Sequence, residues 1–475
     1  MSKILTPDIC VIGAGSGGLT VAAAAAMFGV SVVLIERGRM GGDCLNVGCV
    51  PSKSLIAAAA RAHQMRNASQ FGISDVEPEI DFEAVNAHVR SVIEAIAPND
   101  SVARFTALGV HVITDEAAFV DRRTVKAGDV LVRARRFVIA TGSSPAVPDI
   151  PGLTDVPYLT NETVFELKRR PAHLAVIGGG AAGIELAQAF RRLGSRVTVI
   201  ERGQILSRED PEAVRIVRDR LVSEGVELVE ASEVAQVMRH GKTGIRIETV
   251  CGGVARTIDA TYLLVAAGRT PNVAALDLGR ARVAFGETGI KVGPTLRTTN
   301  RRVYAIGDVA GGPQFTHVAN HHAGLVLRSI LFRLPARTGR TALPRVTFTS
   351  PELAHVGMSE AEALAKVRGA QILRWPYAEN DRAQAERATG GFIKLVIDRR
   401  GTLLGATIVG AGAGEMINLY SLALTKRLGV RDLAAFVSPY PTMTEIGKRA
   451  AISYLAPAAR KPSVRRLVRF LRIFG

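Results

Sequence analysis

Two cysteines five positions apart, Cys44 and Cys49, stand in the segment GGDCLNVGCVPSK, Gly41–Lys53. Ordinary core packing is the plain explanation for such a pair, since free cysteine is among the most buried residue types. The surroundings argue for chemistry instead. Gly42, Asn46, Gly48 and Pro51 make a turn-rich stretch rather than a core strand or an unbroken helix. In a regular helix five residues separate the Cα atoms axially by ~7.5 Å, whereas a disulfide tolerates only about 4.4–6.8 Å. The glycines and Asn46 permit the distortion that lets the sulfurs meet. Helical N–H groups after Cys49 would lower a thiol pKa and favour the reactive thiolate. The expected chemistry is a redox-active disulfide, and that requires an electron donor.

The elements that must position a donor come from an internal repeat. Residues 11–38, VIGAGSGGLTVAAAAAMFGVSVVLIERG, realign with residues 176–203, VIGGGAAGIELAQAFRRLGSRVTVIERG. Each copy reads as a buried strand, a glycine turn, a helix, a second strand and then an acid. The glycines are Gly13, Gly15 and Gly18 in one copy and Gly178, Gly180 and Gly183 in the other. The acids, Glu36 and Glu201, follow at the same distance in both. A lone GxGxxG is weak evidence, but here it follows a strand, opens a helix and is completed by the distal acid, as a dinucleotide fingerprint requires. The first glycine allows the tight turn, the second admits the pyrophosphate and the third packs helix on strand. The helix N-terminus offers free N–H groups to phosphate, and each carboxylate can accept hydrogen bonds from ribose hydroxyls.

Two such sites imply two dinucleotides, FAD and NADH. Glu201 disfavours a 2′-phosphate, with Arg202 and Arg208 partly offsetting it, so a preference for NADH over NADPH is expected. Further strand-to-glycine turns occur at FVIATGSSP (Phe137–Pro145, with Thr141 and Gly142), LLVAAGRTPN (Leu263–Asn272, with Gly268 and Arg269) and VYAIGDVAG (Val303–Gly311). In the last, Asp308 stands where a carboxylate can hold a ribityl hydroxyl. The fold class expected is α/β, with two Rossmann-like dinucleotide-binding domains and a C-terminal α+β domain. A discontinuous FAD domain is expected over residues 1–150 and 270–338, interrupted by a nicotinamide domain over 151–269. LPARTGRTALP (Leu334–Pro344) reads as a linker, followed by the α+β domain over 343–455 and a basic tail over 456–475.

Bulk properties narrow the function classes. The chain has 475 residues, 47% hydrophobic and 22% charged, with 47 glycines. This is the composition of a globular protein of several domains. Four cysteines (Cys10, Cys44, Cys49 and Cys251) are too few for a secreted disulfide scaffold of this size. The apolar run Ile9–Met27 is broken by glycines and belongs to the first nucleotide turn, so it is neither a signal nor a membrane segment. A cytoplasmic location is expected. The formal net charge of +17 raises nucleic acid or anionic lipid as partners. No nucleic-acid motif accompanies it, and no resident metal site is expected.

CLNVGC followed by PSK, set beside the first nucleotide repeat, resembles the pyridine nucleotide-disulfide oxidoreductases, which include dihydrolipoamide dehydrogenase, glutathione reductase and mercuric reductase. The resemblance covers about residues 5–455. It implies that Cys49, nearer the flavin, forms the charge-transfer thiolate and that Cys44 exchanges with substrate. It also implies that Lys53 lies near flavin N5, paired with Glu185, and that the enzyme is a homodimer with the C-terminal α+β domain, 343–455, as its dimerisation domain.

The pattern breaks at YPTMTE, Tyr440–Glu445. Dithiol-handling members carry a His, then Pro-Thr, with a Glu five residues after the His, and donate the pair to the partner's site. Here Glu445 remains and Tyr440 takes the histidine position. A tyrosine, with a pKa near 10, is only about one part in a thousand ionised at neutral pH and is a poor base for a thiol. Losing a positioned base typically costs ~10²–10⁴-fold in rate. The tyrosine, with ELAQAFRRLGS (Glu185–Ser195), LSREDPE (Leu206–Glu212), PQFTHVA (Pro313–Ala319) and GGFIKLVID (Gly390–Asp398), is similar to mercuric reductase. That enzyme's C-terminal cysteine pair has no counterpart in RRLVRFLRIFG, and soft-metal delivery needs thiolates.

The function expected is therefore NADH- and FAD-dependent reduction of a non-lipoyl acceptor: a metal ion, a quinone, a small molecule or a protein disulfide. Two alternatives stand beside it, a dihydrolipoamide dehydrogenase that tolerates Tyr440 and a slow flavoprotein that senses redox state at a membrane or partner surface. In the tail, Val464, Leu467, Val468, Leu471 and Phe474 recur at helical spacing, with Arg465, Arg466, Arg469 and Arg472 opposite. This reads either as a helix packed on the dimerisation domain or as a peripheral anchor for anionic membrane.

Overall fold

A computed structural model describes residues 3–339 and 342–475; Arg340 and Thr341, in the expected linker, lie outside the described residues. The first repeat builds a five-stranded parallel sheet in the order Val303–Ala305, Arg136–Ile139, Ile9–Ile12, Val32–Glu36, His111–Thr114. Its central strand ICVI is buried along its whole length. Such a continuous apolar run is what a parallel strand covered on both faces requires. The helix Ser16–Met27 follows the strand directly. It packs beside the helix Thr316–Leu331, so alanine and glycine on the first helix let the two approach closely.

The second repeat builds a four-stranded parallel sheet in the order Val226–Val229, Arg196–Ile200, His173–Ile177, Tyr262–Val265. The helix Ala181–Arg192 follows His173–Ile177 as its counterpart follows Ile9–Ile12. A mixed sheet flanks the first unit, with Lys3–Leu5 parallel to Val130–Val132 and Thr124–Ala127 antiparallel to it, and an antiparallel sheet of Ser232–His240, Gly244–Cys251 and Val254–Ala260 flanks the second.

The C-terminal region is a five-stranded antiparallel sheet in the order Arg345–Thr347, Glu352–Gly357, Leu403–Gly410, Phe392–Ile397, Gln371–Pro376. The helices Ala413–Lys426 and Glu445–Ala459 pack on it. The fold is thus α/β, with two Rossmann-type units and an α+β C-terminal domain. No helix among the described residues is long and apolar enough to cross a membrane.

Two features hold the second unit against its neighbours. Leu55 and Ala59, on the helix Cys49–Arg66, share one core with Ile184 and Phe190 and with Leu353 and Phe392 of the C-terminal sheet. Full burial of an aliphatic side chain contributes about 1.5–3 kcal/mol. Beside that core the buried Lys394 ammonium lies 2.9 Å from Asp210, 3.0 Å from Glu212 and 2.7 Å from Glu360. A buried cation is tolerated only when paired and hydrogen-bonded in this way. The helix that begins at Cys49 packs on the helices Phe82–Ile96 and Ala181–Arg192.

Candidate functional site

The backbone breaks between the cysteines. A short helix, Gly42–Asn46, carries Cys44, and the long helix Cys49–Arg66 starts at Cys49. Asn46 holds the first turn closed, its amide donating to the carbonyls of Met40 and Gly42, each at 2.9 Å. Gly42 has φ +59, and a Cβ there would stand 2.7 Å from Gly15 Cα, so the redox segment presses directly on the first glycine turn. The break at Val47 and Gly48 leaves the two sulfurs 2.8 Å apart as free thiols. Little further approach is needed to reach the ~2.05 Å of a disulfide.

The thiols have different acidities. A hydrogen bond from Cys44 holds the Cys49 thiol well below its ordinary range, helped by the Thr316 hydroxyl and the Lys53 ammonium and opposed by burial. The Cys44 thiol is pushed up by its hydrogen bond to Cys49, by burial and by the charge on Cys49. Of the two, Cys49 is the more acidic. Thr316 contacts both sulfurs, Cys44 closely and Cys49 at 3.6 Å. It opens the helix Thr316–Leu331, whose first turn has no side-chain cap, so free N–H groups face the same region.

Lys53 lies one turn beyond Cys49 on the same helix face. Its ammonium is 2.7 Å from Glu185 Oε2 and 4.4 Å from the centre of the Phe348 ring. Glu185 is buried, and its other oxygen accepts a hydrogen bond from Phe348 N at 2.8 Å. One carboxylate thus joins the cysteine helix, the second Rossmann unit and the C-terminal domain.

Both glycine turns have the shape that dinucleotides need. Gly13 (φ +103) and Gly178 (φ +115) adopt a backbone open mainly to glycine. A Cβ at Gly18 or Gly183 would strike the carbonyl of Gly13 or Gly178. At Gly180 nothing lies within 4 Å of a built Cβ, and at Gly15 the nearest atom is 4.0 Å away. The helices that follow have no side-chain cap, which leaves their first N–H groups for phosphate. Glu36 accepts from Ala14 N at 2.6 Å and Gly38 N at 2.8 Å; Glu201 accepts from Gly179 N at 2.7 Å and Gly203 N at 2.9 Å. The acids therefore brace the turns, and each oxygen keeps a second lone pair for a ribose hydroxyl. These residues fit a dinucleotide in each unit.

The remaining turns meet beside the cysteines. Thr141 Oγ1 donates to Asn272 O at 2.8 Å, and Gly142 (φ +66) accepts from Asn272 N at 3.0 Å. Gly268 (φ +134) precedes Arg269, whose guanidinium bridges Asp43 and the Ser143 hydroxyl. Asp308 accepts from Ser143 at 2.6 Å, and burial pushes its carboxyl up against the pull of Ser143 and Arg269.

Tyr440 and Glu445 lie apart from this cluster on the C-terminal domain. The Tyr440 hydroxyl donates to Asp381 at 2.9 Å, and that bond, with the Asp381 charge and Glu445 nearby, raises the phenol pKa. Tyr440 is otherwise exposed. Buried Asn380 ties the two loops from behind, donating to Thr442 O at 3.0 Å. Sequence reasoning missed Thr316, Phe348, Asp43, Asn380 and Asp381. Thr316 and Asp43 lie in stretches already singled out, Pro313–Ala319 and Gly41–Lys53, but nothing local marks their contacts, and no local pattern marks the other three.

The pyridine nucleotide-disulphide oxidoreductase model matches residues 7–323, and the dimerisation domain model of the same family matches 343–451. A mercuric reductase of Streptomyces lividans is 38% identical over 462 residues, covering 95% of this chain and 97% of its own. A dihydrolipoyl dehydrogenase of Geobacillus stearothermophilus is 35% identical over 454 residues, covering 94% and 95%. Among solved structures, the Cu(II) complex of the HOCl-induced flavoprotein disulfide reductase RclA from Escherichia coli superposes with TM-score 0.84 at 27% identity, over 93% of this chain and 98% of that one. LpdA from Mycobacterium tuberculosis gives 0.86 at 26% identity, over 95% and 99%. The chain is an NAD(P)H-dependent flavoenzyme that uses FAD, and its dimerisation domain makes it a homodimer. With both family models matched along nearly its whole length, the chain belongs to the pyridine nucleotide-disulphide oxidoreductase family.

Proposed function

We propose that the enzyme passes two electrons from NADH through FAD to the Cys44–Cys49 disulfide and from there to a non-lipoyl acceptor. Bound FAD supplies the hydride-accepting step and hands the electron pair on to sulfur. Reduction of the disulfide takes two electrons and one proton and yields the Cys44 thiol and the Cys49 thiolate. Cys49 keeps the thiolate beside Lys53 and Thr316, and Cys44, the less acidic of the pair, retains its proton and meets the acceptor. Glu185 orients Lys53, and Glu201 favours NADH. Residues 1–150 and 270–338 are assigned to FAD, 151–269 to the nicotinamide nucleotide and 343–455 to the dimer contact.

The observation that carries the acceptor assignment is Tyr440, whose proton is committed to Asp381. Such a phenol cannot draw a proton from a dithiol at neutral pH. That disfavours lipoamide and leaves a small molecule, a metal ion, a quinone or a protein disulfide as acceptor. The mercuric reductase relatives and the RclA likeness support the same reading. The enzyme is placed in the cytoplasm; its hold on the inner membrane face is the business of the C-terminal tail. Steady-state NADH oxidation with lipoamide, a soluble quinone, Hg(II), Cu(II) and an aromatic disulfide tests the assignment. One non-lipoyl acceptor should exceed lipoamide in kcat/KM; lipoamide in first place would overturn it.

A further inference from the structure

We propose that residues 460–475 form a peripheral membrane anchor that binds anionic lipid headgroups. The helix Pro462–Leu471 has no buried residue. Val464, Leu467, Val468, Phe470 and Leu471 share one side of it, while Arg465, Arg466, Arg469 and Arg472 occupy the other. The apolar side is open: Leu467 is 55% exposed, Phe470 56% and Leu471 54%. Phe474 folds back edge-on to Phe470, with ring centres 5.2 Å apart, and extends the apolar strip beyond the last turn. Arg460 and Lys461 add charge just before the helix, and no Asp or Glu occurs after Glu445.

This combination selects among occupants. A subunit interface would bury the apolar strip but would set a crowd of unpaired cations at its edge, where interface cores are depleted of charge. A nucleic acid would take the arginines and leave the leucines and phenylalanines in water. An anionic bilayer satisfies both sides at once, apolar groups at the acyl boundary and guanidinium groups among the headgroups. A ten-residue helix is about 15 Å long, half the thickness of a hydrocarbon core, so it lies in the interface rather than across it. The homodimer presents two such helices, and the second binds at the raised local concentration set by the first. The anchor is independent of the acceptor that the redox site reduces.

The test is co-sedimentation of the purified full-length FAD holoenzyme with vesicles of phosphatidylcholine alone or mixed with phosphatidylglycerol. Binding should require phosphatidylglycerol and be released by salt. L467E/L471E should abolish it, and R465E/R469E should weaken it by roughly tenfold or more. FAD content, dimer mass and NADH oxidation with a soluble acceptor should be unchanged in both variants. Failure of the intact enzyme to bind phosphatidylglycerol vesicles at low salt, or equal binding to phosphatidylcholine alone, overturns the proposal. Loss of the dimer in L467E/L471E also overturns it, and assigns the apolar strip to the partner subunit.

Discussion

The Tyr440 hydroxyl donates its proton to Asp381 Oδ2 at 2.9 Å. The phenol therefore faces outward with oxygen lone pairs rather than with a proton. Asp381 begins the short helix Asp381–Ala385, which buried Asn380 caps while also gripping the Tyr440 loop, so the pair is held by the fold rather than by chance rotamers.

Removing the carboxylate should bring the phenol pKa down toward its ordinary value, because both the accepted hydrogen bond and the negative charge of Asp381 raise it. Asp381→Asn should show this as an earlier tyrosinate absorbance in a pH titration, read by difference against D381N/Y440F. An unchanged titration would mean that the contact does not form in solution.

Tyr440→Phe should slow the native reaction by the worth of one hydrogen bond, about 0.5–1.5 kcal/mol or roughly 2–10-fold. Tyr440→His should raise dihydrolipoamide oxidation, since imidazole is a base near neutral pH. If the histidine variant gains no lipoamide activity, Glu445 does not stand where a His–Glu pair would need it.

With Cys49 the more acidic of the pair, two-electron reduction of the holoenzyme should give a long-wavelength charge-transfer band. Cys49→Ser should abolish the band, whereas Cys44→Ser should show it without reduction. The folded pKa of Cys49 is depressed, so the band should persist below the ordinary thiol value of about 8.5 and fade as pH falls through the lowered one. Thr316→Val removes a hydrogen bond that lowers that pKa and should move the midpoint upward. A midpoint that stays put would reduce Thr316 to packing.

Glu201 should make kcat/KM higher for NADH than for NADPH. Glu201→Gln drops the charge and keeps one of the two acceptor oxygens that brace the turn, so the NADPH-to-NADH ratio should rise. A wild-type preference for NADPH would falsify this role.

Lys53→Met should destabilise more than Glu185→Gln. The first leaves the buried Glu185 carboxylate with Phe348 N as its remaining partner; the second keeps that acceptor and removes the charge. Breaking a buried pair costs about 3–5 kcal/mol, and the partial exposure of Lys53 reduces this to about 1–3 kcal/mol. Thermal unfolding of the holoenzymes should rank Lys53→Met below Glu185→Gln; the reverse order would show that the ammonium is solvated independently of Glu185.

By itself the sequence determined whatever depends on neighbours along the chain. The strands Ile9–Ile12 and His173–Ile177, the turns that require positive φ at Gly13 and Gly178, the uncapped helices after them and the bracing acids Glu36 and Glu201 all lie within one short unit, and its repetition exposes the design. The helix break between Cys44 and Cys49 was legible for the same reason, because Asn46 and Gly48 act on the turn that contains them. Tertiary structure decided what depends on distant segments. Thr316 reaches Cys44 across 272 residues, Glu185 takes Lys53 and Phe348 from two other parts of the chain, and Asp381 claims the Tyr440 proton across 59 residues. A hydrogen bond acts over about 3 Å, and a periodic pattern says which face of an element is buried without saying which side chain will stand opposite. The tail shows the same division from the other side: its two faces are written in Val464–Phe474, but only the folded chain leaves the apolar face uncovered.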